Sequence, residues 1–206
     1  MSASFSLFVF LFFISLFILK FALFTVLMKE YKPIFISLIR FFCVYLVLIG
    51  VYYLYLNYYQ NRLHTCDPYT ETVARQSSSL LNLLGFSSEI YHYDQESFIR
   101  LFISKKLVSI INEGCNSLSV MILYVSFIAA FASTWKKTTL FLFFTLLLIH
   151  FSNIIRIVFI NYVFYRYPEY GKDFHDYIFP AIIYGLIIVL WIAWVKYFLL
   201  EKKRKS

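Results

Sequence analysis

Charged side chains are scarce in this chain: 15% of its 206 residues are Asp, Glu, Lys or Arg, against about 25% in an ordinary soluble domain. A water-facing globular surface is excluded on that ground. Glycine and proline are few as well, at 5 and 4 residues. The sequence holds no Gly-rich phosphate loop, no paired-cysteine metal motif, no internal repeat and no low-complexity linker. What it has instead is apolar bulk, with 61% hydrophobic and 22% aromatic residues and a mean hydropathy of +0.73.

A hydrocarbon core about 30 Å thick asks for about 20 apolar residues per crossing helix. Five segments meet that demand, at 5–28, 34–56, 117–134, 139–165 and 177–199. They predict an all-α multi-pass membrane protein, a bundle of about five transmembrane helices. Residues 1–27 read as an extra N-terminal transmembrane segment or an upstream extension, 28–200 as the membrane domain and 201–206 as a basic cytoplasmic tail. The first span is the weakest, because Lys20 interrupts it. Met28-Lys29-Glu30-Tyr31-Lys32-Pro33 reads as an alternative start, with basic residues ahead of a clean span.

The formal net charge of +8 does not point to nucleic acid, because the basic residues cluster beside the spans, where they report orientation. Lys29 and Lys32, then Lys136 and Lys137, then Lys202, Lys203, Arg204 and Lys205 fall on one side of an alternating path, which is assigned to the cytoplasm. Residues 57–116 and 166–176 then face outward. The long loop balances Arg62, Arg75, Arg100, Lys105 and Lys106 against six acidic residues and so shows no basic excess. Tyr52, Tyr53, Tyr55, Tyr58 and Tyr59 mark an interfacial aromatic belt.

Within that loop, residues 72–85 predict a short amphipathic helix whose Leu80, Leu81, Leu83 and Leu84 lie on the membrane surface or cover the bundle. Residues 98–103 and 107–112 flank Ser104-Lys105-Lys106 and predict a hairpin, with a helix as the alternative over so short a stretch.

Reactive side chains recur where polar segments meet apolar runs. Cys115, in Glu113-Gly114-Cys115-Asn116-Ser117, immediately precedes the third span, at a helix N-terminus that favours thiolate. Arg156 costs a few kcal/mol to place within an apolar helix and is functional by default. Counted from Thr138 it lies 18 residues on, about 27 Å at 1.5 Å per residue, near the outer edge of the hydrocarbon. Asn153, one turn earlier, shares its face. His175, in Lys172-Asp173-Phe174-His175-Asp176-Tyr177, opens the last span beside two aspartates able to fix its tautomer. Thiol, guanidinium and imidazole at one membrane level supply a nucleophile, an oxyanion partner and a base.

Plainer readings stand beside these. Cys115 is then a small buried hydrophobe or half of a disulfide with Cys66, Arg156 snorkels to headgroups, and His175 is a solvated loop residue, as His64 and His92 are. Cys43 reads as packing, and a helix-to-helix hydrogen bond explains His150 as well as catalysis does.

The motif Glu113-Gly114-Cys115-Asn116-Ser117 before a span, Asn153-Ile154-Ile155-Arg156 in the next, and His175 opening the last resemble the exosortase and archaeosortase family, in particular the exosortase F branch. The resemblance covers about residues 28–200. Many members carry Ser-Gly after the cysteine where this chain has Asn116-Ser117. The resemblance implies a cysteine transpeptidase or protease of the bacterial inner (cytoplasmic) membrane, acting on C-terminal sorting signals of exported surface proteins. Such a signal is a short motif, a transmembrane helix and a basic cluster.

Under it Cys115 is the nucleophile, Arg156 the oxyanion stabiliser and His175 the general acid/base. Asn153, Glu113 and Asn116 support them, Glu113 as a partner for Arg156 or His175. No metal or organic cofactor is expected. The expected partners are sorting signals, the lipid bilayer and a dedicated membrane protein of unassigned identity. The alternative is a non-enzymatic membrane assembly partner of an envelope export complex, with Arg156 paired to another subunit and Cys115 to Cys66.

Overall fold

The computed structural model describes residues 31–132 and 134–196. The predicted first span, the last residues of the fifth and the basic tail lie outside the described residues. By its internal contacts the chain divides into Met1–Arg40 and Phe41–Ser206, and the packing below belongs to the second unit. Among the described residues, three helices are long and apolar enough to cross a membrane, Tyr31–Arg62 (α1), Trp135–Arg166 (α4) and Pro168–Trp194. The protein is a helical multi-pass membrane protein.

Helix α2, Pro68–Leu83, begins where Asp67 caps it: the carboxylate accepts from the Thr70 amide at 3.0 Å and Pro68 takes the first helical position. That Asp-Pro signal sets the start ahead of the predicted residue 72. The buried face is Thr70, Val73, Ala74, Ser77, Ser78 and Leu81, a stripe of mostly small residues at helical spacing. Of the four leucines expected to lie on the membrane surface or cover the bundle, Leu81 is fully buried, whereas Leu83 and Leu84 fall off that stripe and are 83% and 60% exposed.

The predicted hairpin is β2 (Ile99–Ile103) and β3 (Lys106–Ile111), joined through Ser104 and Lys105. Both turn residues have positive φ, 51° and 64°, the pairing that a two-residue type I′ turn requires. A further strand, β1 (Ser88–Tyr91), completes an antiparallel sheet in the order β1-β2-β3. Four residues are too few to have shown a strand period in the sequence.

Helix α3 runs only over Leu118–Ala130, 13 residues or about 20 Å, shorter than the predicted 117–134. Ser117 sits in the left-handed region at φ 60° and delays the start, and the helix ends at Phe131. Helix α4 has 32 residues, about 48 Å. The expected outer loop at 166–176 is almost wholly helical. After a break at Tyr167, α5 (Pro168–Asp173) leads through a widened turn, Phe174–Ile178, into α6 (Phe179–Trp194). The ring of Pro168 drives Tyr167 out of the helical region, to φ −137° and ψ 64°.

Helix α4 serves two cores. Its first half packs with α3 and α6 around Met121, Tyr124, Ile149 and Trp194. Its second half offers Ile154, Ile157 and Val158 to α2 and the sheet, against Val73, Leu81 and Leu101. Each large apolar side chain taken from water there contributes about 1.5–3 kcal/mol. The bundle core, by contrast, gains mainly from close packing, because lipid is as apolar as its side chains. Cys115 and Arg156 lie along the second half of this shared helix.

Candidate active site

Strand β3 hands the chain to a tight turn, Glu113–Cys115, whose geometry Asn112 maintains. The Asn112 side-chain oxygen accepts from the Gly114 amide at 3.1 Å and from the Cys115 thiol at 3.6 Å. The Cys115 amide donates to the Asn112 carbonyl at 2.9 Å. Cys115 is half-buried and separated from α3 by Asn116 and the left-handed Ser117. The thiol bonds Asn112, and the first N–H of α3 goes to Asn116, so the expected position at the helix N-terminus is not realised.

Asn116 is wholly buried. Its amide donates to Thr70 Oγ1 at 2.8 Å and to the Tyr52 hydroxyl at 3.4 Å, and its oxygen accepts from the Leu118 amide at 2.8 Å. One side chain thereby ties the cysteine turn to α1, α2 and α3. Asn153 is equally buried and joins the cysteine turn to the guanidinium. It donates to the Cys115 carbonyl at 2.8 Å and accepts from Arg156 Nη1 at 3.2 Å. The Arg156 Nε–H is buried and has no acceptor among the described residues, and the guanidinium lies within electrostatic range of Cys115. A buried N–H without a partner costs about 1–3 kcal/mol, so it is a donor in want of an oxygen.

His175 is exposed in the widened turn, its Nδ1 bonded to the Asp176 carboxylate at 2.9 Å. With Nδ1–H donating there, the lone pair of the neutral imidazole is on Nε2. Cys115, Arg156 and His175 line one cavity of about 460 Å³, together with residues 107–111 of β3 and Ile157, Ile160, Asn161 and Phe164 of α4.

The chain matches a family model described as transmembrane exosortase over residues 2–195. It belongs to the transmembrane exosortase family. Comparisons with curated proteins and with solved structures found no match. Membership suggests a membrane transpeptidase that processes C-terminal sorting signals, and the matched stretch includes the apolar segment ahead of Met28.

In this exosortase Glu113 forms no ion pair with Arg156 or His175 among the described residues. All three cysteines are free thiols, so the Cys66–Cys115 disulfide is not formed. Cys66 is 4% exposed in the sheet-side core. Burial first, and then the negative charge of Asp67, push its thiol up to about 12. His150 links α4 to α2, with Tyr69 at 3.1 Å and Gln76 at 2.9 Å. His92 braces the chain at Cys66, accepting its N–H at 3.3 Å.

The sequence reading passed over Asn161, which is 1% exposed, accepts from Ser109 Oγ at 2.6 Å and donates to the Ile157 carbonyl. Its signal was available, since a polar residue eight positions after Asn153 falls on the same helical face.

Proposed function

We propose that this exosortase, of the F branch, is a cysteine transpeptidase that cleaves and transfers C-terminal sorting signals of exported surface proteins. It works through Cys115, Arg156 and His175 at the outer face of a bacterial inner membrane. The observation that supports it most is the cavity those three side chains share, reached from a turn, a spanning helix and a widened helical turn. The outward orientation rests on charge. Lys136 and Lys137 open α4 at the cytoplasmic side, and Arg156 follows about 20 residues or about 30 Å later.

In the first half-reaction His175 Nε2 takes the thiol proton and the Cys115 thiolate attacks the scissile carbonyl. The carbonyl electron pair moves to oxygen, where the Arg156 charge and its free Nε–H stabilise it. Collapse breaks the C–N bond, the leaving amine departs with the proton from His175, and the acyl group stays as a thioester on Cys115. An acceptor, amine or water, then gives its proton to His175, attacks the thioester and restores the thiol. Asn153 is a positioning residue, holding the Cys115 main chain and the guanidinium in register.

Cys115→Ala and Arg156→Ala test the assignment, with C-terminal peptides of exported proteins quantified by mass spectrometry of whole membranes. Uncleaved precursors that keep a C-terminal apolar helix and basic cluster should accumulate in both variants, and Arg156→Ala should slow processing by about 10²–10³-fold. Normal processing by inserted Cys115→Ala protein refutes the proposal.

A further inference from the structure

Strand β3 is the outer strand of the sheet, with β2 on one side only. Residues 107–111, five in succession, all line the Cys115 cavity. Successive side chains of a strand point to opposite faces except at a bulge, and five consecutive residues lining one cavity place it along the strand, beside its main chain. Beyond the β2 ladder no hydrogen bond reaches the main chain of these residues among the described residues. Helix α4 packs against β3 and lines the same cavity but cannot pair with the edge, because a helix consumes its own N–H and C=O groups. It meets β3 through the Ser109–Asn161 hydrogen bond, which leaves the cavity between them.

Free edges are ordinarily guarded by lysine, proline or a covering element, since they accept any extended chain. Here the one lysine, Lys106, stands at the end of the strand remote from Cys115, whereas Leu107-Val108-Ser109-Ile110-Ile111 carries neither charge nor proline, and Leu107 and Ile110 are 44% and 50% exposed. Val108 has no partner on β2, because Ser109 pairs with Leu101 and Leu107 with Phe102, and such a bulge bends the strand. The edge ends one turn before Cys115.

We infer that the free edge of β3 is the docking site for an extended stretch of substrate polypeptide, which adds to the sheet as a fourth strand and delivers its scissile carbonyl to Cys115. The inference rests on Cys115 being the nucleophile. Main-chain pairing supplies affinity that is tolerant of sequence, and the apolar cavity wall reads alternate side chains.

The test uses the full-length protein in membranes and reads alkylation of Cys115 by peptide mapping. The probes are acetyl-Ala and acetyl-Ala-Ala-Ala-Ala chloromethyl ketones, with iodoacetamide as the small reagent. In each ketone the thiolate displaces chloride, forming a C–S bond. Two or more added main-chain hydrogen bonds should make the tetrapeptide react about tenfold or more faster than the single residue. N-methylation of its amides, one at a time, should abolish that gain at alternate positions and spare the others.

Equal rates for parent and methylated peptides, or a uniform loss at every position, overturn strand addition. They do so while brisk iodoacetamide labelling of Cys115 leaves the nucleophile intact. A Cys115 inert to all three reagents overturns both readings.

Discussion

Replacing Asn153 with alanine probes the joint between the nucleophile's turn and the cationic helix. The side chain is fully buried, and its two hydrogen bonds run to the Cys115 carbonyl at 2.8 Å and from Arg156 Nη1 at 3.2 Å. Alanine leaves one buried acceptor and one buried charged donor without partners, at about 1–3 kcal/mol each and more for the charged one. A loss of about 2–5 kcal/mol in stability is therefore expected. Processing should fall by about 10²-fold or more, because a displaced guanidinium no longer meets the developing oxyanion.

The assay pairs two rates on the same inserted protein, processing of sorting-signal precursors and alkylation of Cys115 by iodoacetamide. Alkylation needs the thiol but not the oxyanion donor, so processing should fall far more than alkylation in Asn153→Ala. Asn153→Asp, which keeps an acceptor for Arg156 but sets a carboxylate against the Cys115 carbonyl, should not rescue processing. If both rates fall together with loss of folded protein, or if neither falls, Asn153 is not the positioning residue argued for.

Cys66, with its thiol pushed up to about 12 by burial against about 8.5 for a free cysteine, should resist alkylation at pH 8.5 until the protein is denatured. Because the folded value lies above the unfolded one, its stability contribution is whole below about pH 8.5 and drains as pH rises toward 12. A melting midpoint that falls over about pH 9–11 in the wild type and less in Cys66→Ala checks this. Gly171→Ala would set a Cβ 2.2 Å from the Phe164 ring. The ring must swing at the cavity wall, at a cost of about 1–3 kcal/mol, and Cys115 alkylation by a peptidyl chloromethyl ketone should slow; an unchanged rate and melting midpoint would contradict it. Ser104→Asn with Lys105→Gly suits the positive φ values of the β2–β3 turn and should stabilise the hairpin by about 1 kcal/mol, seen as slower hydrogen exchange of β2 and β3 amides.

Much of the fold was legible because its signals are local. Lipid demands long apolar stretches with internally satisfied backbones, so α1, α4 and α6 stand out by composition, and the β2–β3 hairpin by two apolar runs around a polar turn. A fixed rise per residue led to the expectation that Arg156 stands near the level of Cys115 and His175, and the three line one cavity. Periodicity, though, reports which face of an element is apolar and not what it meets. The small-residue stripe of α2, the late start of α3 at Ser117 and the helical stretch around His175 each depended on a neighbour or a backbone angle.

The candidate site shows the same division most sharply. That this chain crosses a membrane follows from hydropathy alone, and residue order led to the expectation that a thiol, a guanidinium and an imidazole stand near one boundary. That Asn153 bonds a carbonyl 38 residues away, that Asn116 is spent on three helices, and that β3 lays its unpaired edge along the Cys115 cavity were decided by tertiary structure. Hydrogen bonds of a few ångströms between distant segments exist only once two separate cores have pulled those segments onto the same helix.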